Sequence, residues 1–108
     1  ILTGKVRNFH WEQLEKINCG ESTLLDVRTE EEYGKDSIEG FINIPLNKLR
    51  ERIGELDPLK PVYVHCFSGL RSYIACRILT GRGFKCFNLS GGWRLYNQLQ
   101  KNRRYLTE

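Results

Sequence analysis

A chain of 108 residues has room for one domain with one hydrophobic core, and we predict a single domain over residues 1–108. The net charge of +4 suits a protein that handles small anions, but it is too low and too scattered for a nucleic-acid-binding surface. No apolar run approaches the roughly 18 residues that a membrane span requires, and no signal sequence is visible. We therefore predict a soluble, cytoplasmic protein without nucleic-acid or membrane partners.

Two features of composition concern the context of the chain. It contains no methionine, which favours a piece of a longer polypeptide over a processed product, with residues 1–4 as a linker remnant. Its cysteines form no C-x-x-C pair, and its two histidines are not spaced as partners in a zinc site. We therefore predict no bound metal and four separate thiols in a reducing compartment: Cys19, Cys66, Cys76 and Cys86.

The first half of the chain alternates short β-type runs with helical patterns. Apolar residues at helical spacing predict helices over 11–18 and 46–56, the second of which ends before Pro58. A short acidic turn or helix is predicted over 30–33. The segments that predict strands are 5–9, Thr23–Val27 and Phe41–Ile44.

The second half repeats the alternation more clearly. Val62–Cys66 and Phe84–Leu89 predict strands, and the helix between them is expected to bury the face formed by Ile74, Ala75, Ile78 and Leu79. A final helix carries Trp93, Tyr96 and Leu99. Because crossovers of this length make neighbouring strands parallel, the pattern predicts an α/β fold with helices on both faces of a mostly parallel sheet.

The loop from Cys66 to Ser72 carries the chemistry that the sequence predicts. Cys66 ends a strand, and the loop runs directly into the amino terminus of a helix, where backbone N–H groups and the helix dipole favour an anion. Gly69 permits backbone angles that a side chain forbids, and Arg71 adds a positive charge. These features favour a thiolate, which is the nucleophilic form of cysteine. The alternative is a buried cysteine at a strand end beside a solvent-facing arginine.

Five segments in order resemble the rhodanese-like family along nearly the whole chain. They are Leu24–Arg28, Glu31–Tyr33, Ile38–Pro45, Val62–Cys66 and Asn88–Trp93. The amino-acid sequence at 70–75 and 88–92 is also similar to that of the rhodanese domains at the carboxyl end of flavin-dependent coenzyme A-disulfide and persulfide reductases. One departure is visible, because Ser37 stands where the family often has histidine, at a position that we interpret as structural.

The resemblance implies a rhodanese-like fold with a five-stranded sheet and a sulfurtransferase activity. Cys66 would take sulfane sulfur from thiosulfate or a thiol persulfide and pass it to a thiol or cyanide. The loop that would hold the persulfide through its backbone N–H groups consists of Phe67, Ser68, Gly69, Leu70 and Arg71. No cofactor is expected in this domain, although a fused flavin-dependent reductase domain would bind FAD.

Two other functions remain open at this point. Cysteine-dependent phosphatases use H-C-x5-R, whereas only four residues separate Cys66 from Arg71, and the loop contains no aspartate to act as a general acid. A non-catalytic interaction module on the same fold would usually lack the cysteine. Both features favour sulfur transfer.

The remaining polar and reactive residues have competing interpretations. His65 is expected to be a sheet residue rather than a base, and Asp26 and Arg28 a structural ion pair. Trp93 either lines the mouth of the site or packs in the core. For the other thiols, we expect a buried Cys86, a partly exposed Cys76 and a Cys19 in a loop, none with an assigned role.

Overall fold

The computed structural model describes residues 6–17 and 20–107, and for residue 15 and residues 102–107 it describes the backbone alone. The predicted linker at 1–4, the end of the first predicted helix and Cys19 lie outside the described residues. The strands are β1 (Arg7–Phe9), β2 (Thr23–Asp26), β3 (Ile42–Asn43), β4 (Val62–His65) and β5 (Cys86–Leu89). The α-helices are α1 (Glu30–Lys35), α2 (Leu49–Arg52), α3 (Leu70–Gly81) and α4 (Gly92–Thr107).

The strands form one sheet in the order β1-β5-β4-β2-β3, and every described pair is parallel. β4 therefore lies at the centre, between β5 and β2, with Asp26 opposite His65 at its carboxyl end. In parallel α/β sheets, ligands bind at this edge, where each strand leads into the next helix. The topology places the segment that follows His65 at that edge.

Hydrophobic residues cover both faces of the sheet. One cluster joins α2 and α3 to the sheet and includes Leu25, Val64, Leu49 and Leu79. The other joins the segment around Trp11 and the start of α4 to the opposite face. The predicted α/β fold with helices on both faces of a mostly parallel five-stranded sheet is confirmed.

Two predicted helices differ from the observed elements. The segment predicted helical over 11–18 is a 3₁₀ helix over Trp11–Lys16. The segment over 46–56 is one α-helical turn, α2, between the 3₁₀ turns Leu46–Lys48 and Ile53–Glu55. Such short segments obtain most of their stability from packing on the sheet rather than from their own hydrogen bonds, which explains why an apolar period does not fix their type.

The predicted buried face of α3 is wrong in part. Ala75 and Leu79 are fully buried, but Ile74 is 42% exposed, while Cys76 is fully buried rather than partly exposed. The Cys86 thiol donates a hydrogen bond to Cys76 Sγ at 2.7 Å, and burial raises the pKa of Cys86 far above its ordinary value. Cys86 is therefore a buried hydrophobe, as predicted, and small side chains allow α3 to approach β5 closely.

Candidate active-site loop

Cys66 lies immediately after β4, at the floor of the loop that leads into α3. Its side chain is 1% exposed, whereas Phe67, Ser68 and Leu70 lie at the surface above it. Gly69 precedes α3 with φ of +105°, in the left-handed region that favours glycine. The loop therefore turns back over the sulfur and presents its own backbone to it.

Two backbone amides converge on the Cys66 sulfur. The N–H of Gly69 donates to Sγ at 3.1 Å and the N–H of Ser72 at 3.2 Å. Ser72 lies outside the predicted set of 67–71. The sequence carried a signal for it, because the first four N–H groups of a helix have no intrahelical partner and Ser72 is the third residue of α3. Donated hydrogen bonds of this kind stabilise an anion on sulfur.

The Ser72 side chain also contacts the sulfur. Its hydroxyl oxygen lies 3.3 Å from Cys66 Sγ and donates a hydrogen bond of 2.5 Å to Asn88 Oδ1. Asn88, in β5, also donates through Nδ2 to the Gly69 carbonyl at 3.4 Å. Sequence reasoning assigned neither side chain to the site. Their contacts depend on how α3 packs against β5, which no local pattern encodes.

Arg71 is bound to α1 rather than directed freely over the sulfur. Its guanidinium donates two hydrogen bonds to the Glu32 carboxylate, at 2.7 and 3.0 Å. The pair lowers the pKa of Glu32 to about 2, against a smaller opposing effect of burial, and raises that of Arg71. This bidentate pair ties the start of α3 to α1 and so holds one side of the loop.

The first turn of α4 supports the loop from the other side. The amides of Trp93 and Arg94 donate to the carbonyls of Cys66 and Phe67 at 2.7 and 2.9 Å. Gly92 permits this approach, because a Cβ there would lie 2.5 Å from the Cys66 carbonyl oxygen and 2.6 Å from that of Phe67. The conformation of the loop is thus determined by contacts at both ends.

Asp26 and Arg28 form the buried ion pair that the sequence predicts. The Asp26 carboxylate accepts hydrogen bonds from Arg28 Nε and Nη2 at 2.8–3.1 Å, and both residues are almost fully buried. His65 Nε2 lies 3.3 Å from Asp26 Oδ2, outside hydrogen-bond geometry. Burial by itself raises the pKa of Asp26, but His65 and Arg28 outweigh it and lower the pKa from 3.8 to about 2.

His65 and Trp93 serve the structure around the loop. The fully buried His65 ring packs edge-on against Phe41, with centroids 4.7 Å apart, which agrees with its prediction as a sheet residue. Trp93 packs with the second hydrophobic cluster, and the Arg28 guanidinium lies 4.9 Å from its ring centroid. Core packing is therefore the interpretation of Trp93 that the contacts favour.

A model of the rhodanese-like domain family matches residues 11–99. The chain belongs to this family. Two Bacillus subtilis proteins are similar to it. The putative sulfur carrier protein YrkF is 42% identical over 72 residues, which make up 66% of this chain and 39% of YrkF. The putative sulfurtransferase YtwF is 37% identical over 79 residues, or 72% of this chain and 77% of YtwF.

Two solved structures extend the comparison to larger proteins. Reduced CoADR-RHD from Bacillus anthracis is 37% identical with a TM-score of 0.83, and the match covers 91% of this chain but 18% of that one. An NAD-dependent persulfide reductase from A. fulgidus is 38% identical with a TM-score of 0.64, covering 81% and 15%. The predicted similarity to the rhodanese domains of such reductases is confirmed, and the chain spans a small part of each.

Two features are absent from the described residues. No helix there has the length and apolar character needed to cross a membrane. No group of three or more His, Cys, Asp and Glu side chains among them could hold a metal ion.

Proposed function

We propose that this rhodanese-like domain transfers sulfane sulfur through a persulfide on Cys66. The observation that carries the proposal is the convergence of the Gly69 and Ser72 amides on one sulfur atom at the floor of the loop. The Cys66 thiolate attacks the outer sulfur of thiosulfate, the S–S bond of the donor breaks, and sulfite leaves with its electron pair. A thiol persulfide would react in the same way and release a thiolate.

The second half of the cycle returns the domain to its starting state. The negative charge now lies on the outer sulfur of Cys66–S–S⁻, which the N–H groups of the loop are suited to bind. An acceptor thiolate or cyanide attacks that outer sulfur, forms a new bond to it and displaces the Cys66 thiolate. Charge and atoms balance in both steps, and neither requires a metal or an organic cofactor.

The small size of the anion site favours sulfur transfer over phosphate ester hydrolysis. One sulfur atom already occupies the two converging amides, and Cys66 is only 1% exposed. A donor therefore has to present a single terminal atom, as thiosulfate and thiol persulfides do. A tetrahedral phosphate needs donors for several oxygens at once, together with an acid for the departing alcohol.

The first test measures sulfur uptake directly. After incubation with thiosulfate, the intact mass of the protein should rise by one sulfur atom, and cyanide should remove the gain. Cys66→Ser should abolish the gain, because the thiolate is the only attacking group in the proposed cycle. Cys86→Ser is the matched control, since that thiol is buried away from the loop and should leave the uptake unchanged.

Two alternative outcomes would contradict this function. Turnover of an aryl phosphate by the wild-type chain, with no sulfur uptake, would identify a phosphatase on the same fold. Inactivity in both assays would instead indicate a non-catalytic interaction module.

The charge of Arg71 is proposed to attract the anionic donor. A groove of about 400 Å³ lies beside it, lined among others by Arg50, Thr29 and Ile74. Arg71→Ala should lower the second-order rate constant of loading from thiosulfate, which carries two negative charges, by about tenfold, with a smaller effect for an alkyl persulfide donor, which carries one. Arg82→Ala makes the same charge change at the exposed far end of α3 and should have little effect. Equal losses with both donors would contradict a role for the charge.

We also propose that the domain works in the reducing cytoplasm and is fused to a flavin-dependent reductase that binds FAD. The support is its similarity to segments of CoADR-RHD and of a persulfide reductase, both much longer chains. A reductase of this kind would supply a thiol persulfide as the donor, or it would reduce a thiol persulfide that this domain produces. The coding sequence on either side of this segment tests the proposal.

A further inference from the structure

A chain of polar groups runs from the Cys66 sulfur into the body of the domain. Ser72 is fully buried and Asn88 is 7% exposed, so neither side chain exchanges its partner freely with water. The Ser72 hydroxyl oxygen lies 3.3 Å from Cys66 Sγ and 2.5 Å from Asn88 Oδ1. The direction in which the hydroxyl hydrogen points therefore determines what the sulfur meets.

The surroundings of Asn88 fix that direction. Its Nδ2 group donates to the Gly69 carbonyl oxygen and to Asn8 Oδ1, each at 3.4 Å. Turning the amide over would place Oδ1 against the Gly69 carbonyl, which has no hydrogen to donate. Oδ1 therefore faces Ser72, and the hydroxyl hydrogen has to lie between these two oxygens.

We infer that Asn88 is a positioning residue that turns the Ser72 hydroxyl into an acceptor toward Cys66. The thiol can then donate its hydrogen to Ser72 Oγ, whereas the thiolate faces a lone pair instead of a hydrogen. A hydrogen bond to the neutral form of a group opposes its ionisation. Asn88 thus counteracts the two backbone amides, which favour the thiolate.

This arrangement deepens the proposed function, on which it rests, because it affects the two states of Cys66 differently. In the free thiolate the negative charge lies beside the Ser72 lone pair. In the persulfide the charge moves to the outer sulfur, and the inner sulfur next to Ser72 becomes neutral. Asn88 therefore disfavours the unloaded thiolate without penalising the loaded form.

Other charged groups around Cys66 are kept constant in the experiment that follows. Arg71 on α3 is paired with Glu32 of α1. His65 precedes Cys66, with Nδ1 3.4 Å from its carbonyl oxygen, and Asp26 of β2 faces His65. No variant below changes any of these groups.

The test measures the fraction of Cys66 present as thiolate at fixed pH, by far-ultraviolet absorbance relative to Cys66→Ser, with no donor present. Asn88→Ala should raise the ionisation equilibrium constant about tenfold, because the freed hydroxyl can donate to the thiolate. In a Ser72→Ala background, Asn88→Ala should change the ionisation equilibrium constant of Cys66 by less than about twofold, because no hydroxyl remains to be freed. Asn8→Ala removes only the outer partner of Asn88 and should change nothing.

The sign of each change decides the proposal. A purely structural role for Asn88 would loosen the loop and lower the thiolate fraction, so an unchanged or lower value in Asn88→Ala overturns the inference. Ser72→Ala keeps the backbone donor and should raise the constant about threefold. A lower ionisation constant in Ser72→Ala would mean that the Ser72 hydroxyl donates to the thiolate, and this result would also overturn the inference. The Ser72→Ala measurement therefore tests the inference even if Asn88→Ala does not fold. Sulfur uptake is measured separately, so failure of the proposed sulfur transfer can be distinguished from failure of the inference about Asn88.

Discussion

Replacing Asp26 with asparagine is expected to destabilise the domain by about 3–5 kcal/mol, because the change leaves the Arg28 guanidinium as an uncompensated buried charge. Arg28 is 3% exposed and donates to both carboxylate oxygens of Asp26. Its one other hydrogen-bond acceptor in the described structure is the Asp36 carbonyl, at 2.7 Å. A neutral amide can accept one of the lost hydrogen bonds but cannot balance the charge. Chemical denaturation, with the same dependence of the free energy of unfolding on denaturant concentration assumed for both proteins, would measure the loss of stability.

A matched variant and a pH series test the same explanation. Glu30→Gln breaks an exposed ion pair with Lys48 and should leave the denaturation midpoint nearly unchanged. The lowered pKa of Asp26 means that its contribution is present above the unfolded value of 3.8 and is lost as the pH falls toward about 2. The difference in free energy of unfolding between the wild type and Asp26→Asn should therefore decrease as the pH falls through that range. A constant difference would contradict the ion-pair explanation.

The sequence predicts the sheet and the place of Cys66 well because these depend on local patterns. Apolar β-type runs separated by helical segments require long crossovers, and long crossovers give parallel strands. The loop after a central strand of such a sheet lies at its carboxyl edge whatever the details of packing. Cys66 could thus be assigned to that edge from its position between Val64 and Gly69 alone.

The buried face of α3 could not be predicted in the same way. Apolar periodicity selects large side chains such as Ile74, whereas the buried face of the helix includes the small residues Ser72, Ala75 and Cys76. Ser72 and Cys76 contact Asn88 and Cys86 of β5. Small residues permit close approach of a helix to a sheet, and they carry little weight in a hydrophobic pattern. The exposed Ile74 lies instead in the groove beside Arg71.

The contacts that shape the site are also distant in sequence. Arg71 meets Glu32 across 39 positions, Ser72 meets Asn88 across 16, and the Trp11 indole donates to the Gly92 carbonyl across 81. Each depends on how two elements pack, so a single sequence identifies the loop but not the side chains that hold it.

Gly92→Ala is expected to have the largest effect on the proposed sulfur uptake of any change outside the loop. The new Cβ would lie 2.5 Å from the Cys66 carbonyl oxygen and 2.7 Å from the Phe67 carbonyl carbon. These are backbone atoms, so they can give way only by moving the loop. Since a shift of about 1 Å in reacting groups can cost 10²-fold in rate, we expect sulfur loading to slow by about that factor.

The control for Gly92→Ala separates loop displacement from backbone strain. Gly92 has φ of +61° and Gly83 has φ of +89°, so alanine at either site is strained by about 1–2 kcal/mol. A Cβ at Gly83, however, meets no atom within 4 Å. Gly83→Ala should therefore lower the free energy of unfolding but load sulfur at the wild-type rate. Gly92→Ala should lower both the free energy of unfolding and the rate of sulfur loading. Equal loading rates in the two variants would show that the start of α4 does not hold the loop in its working conformation.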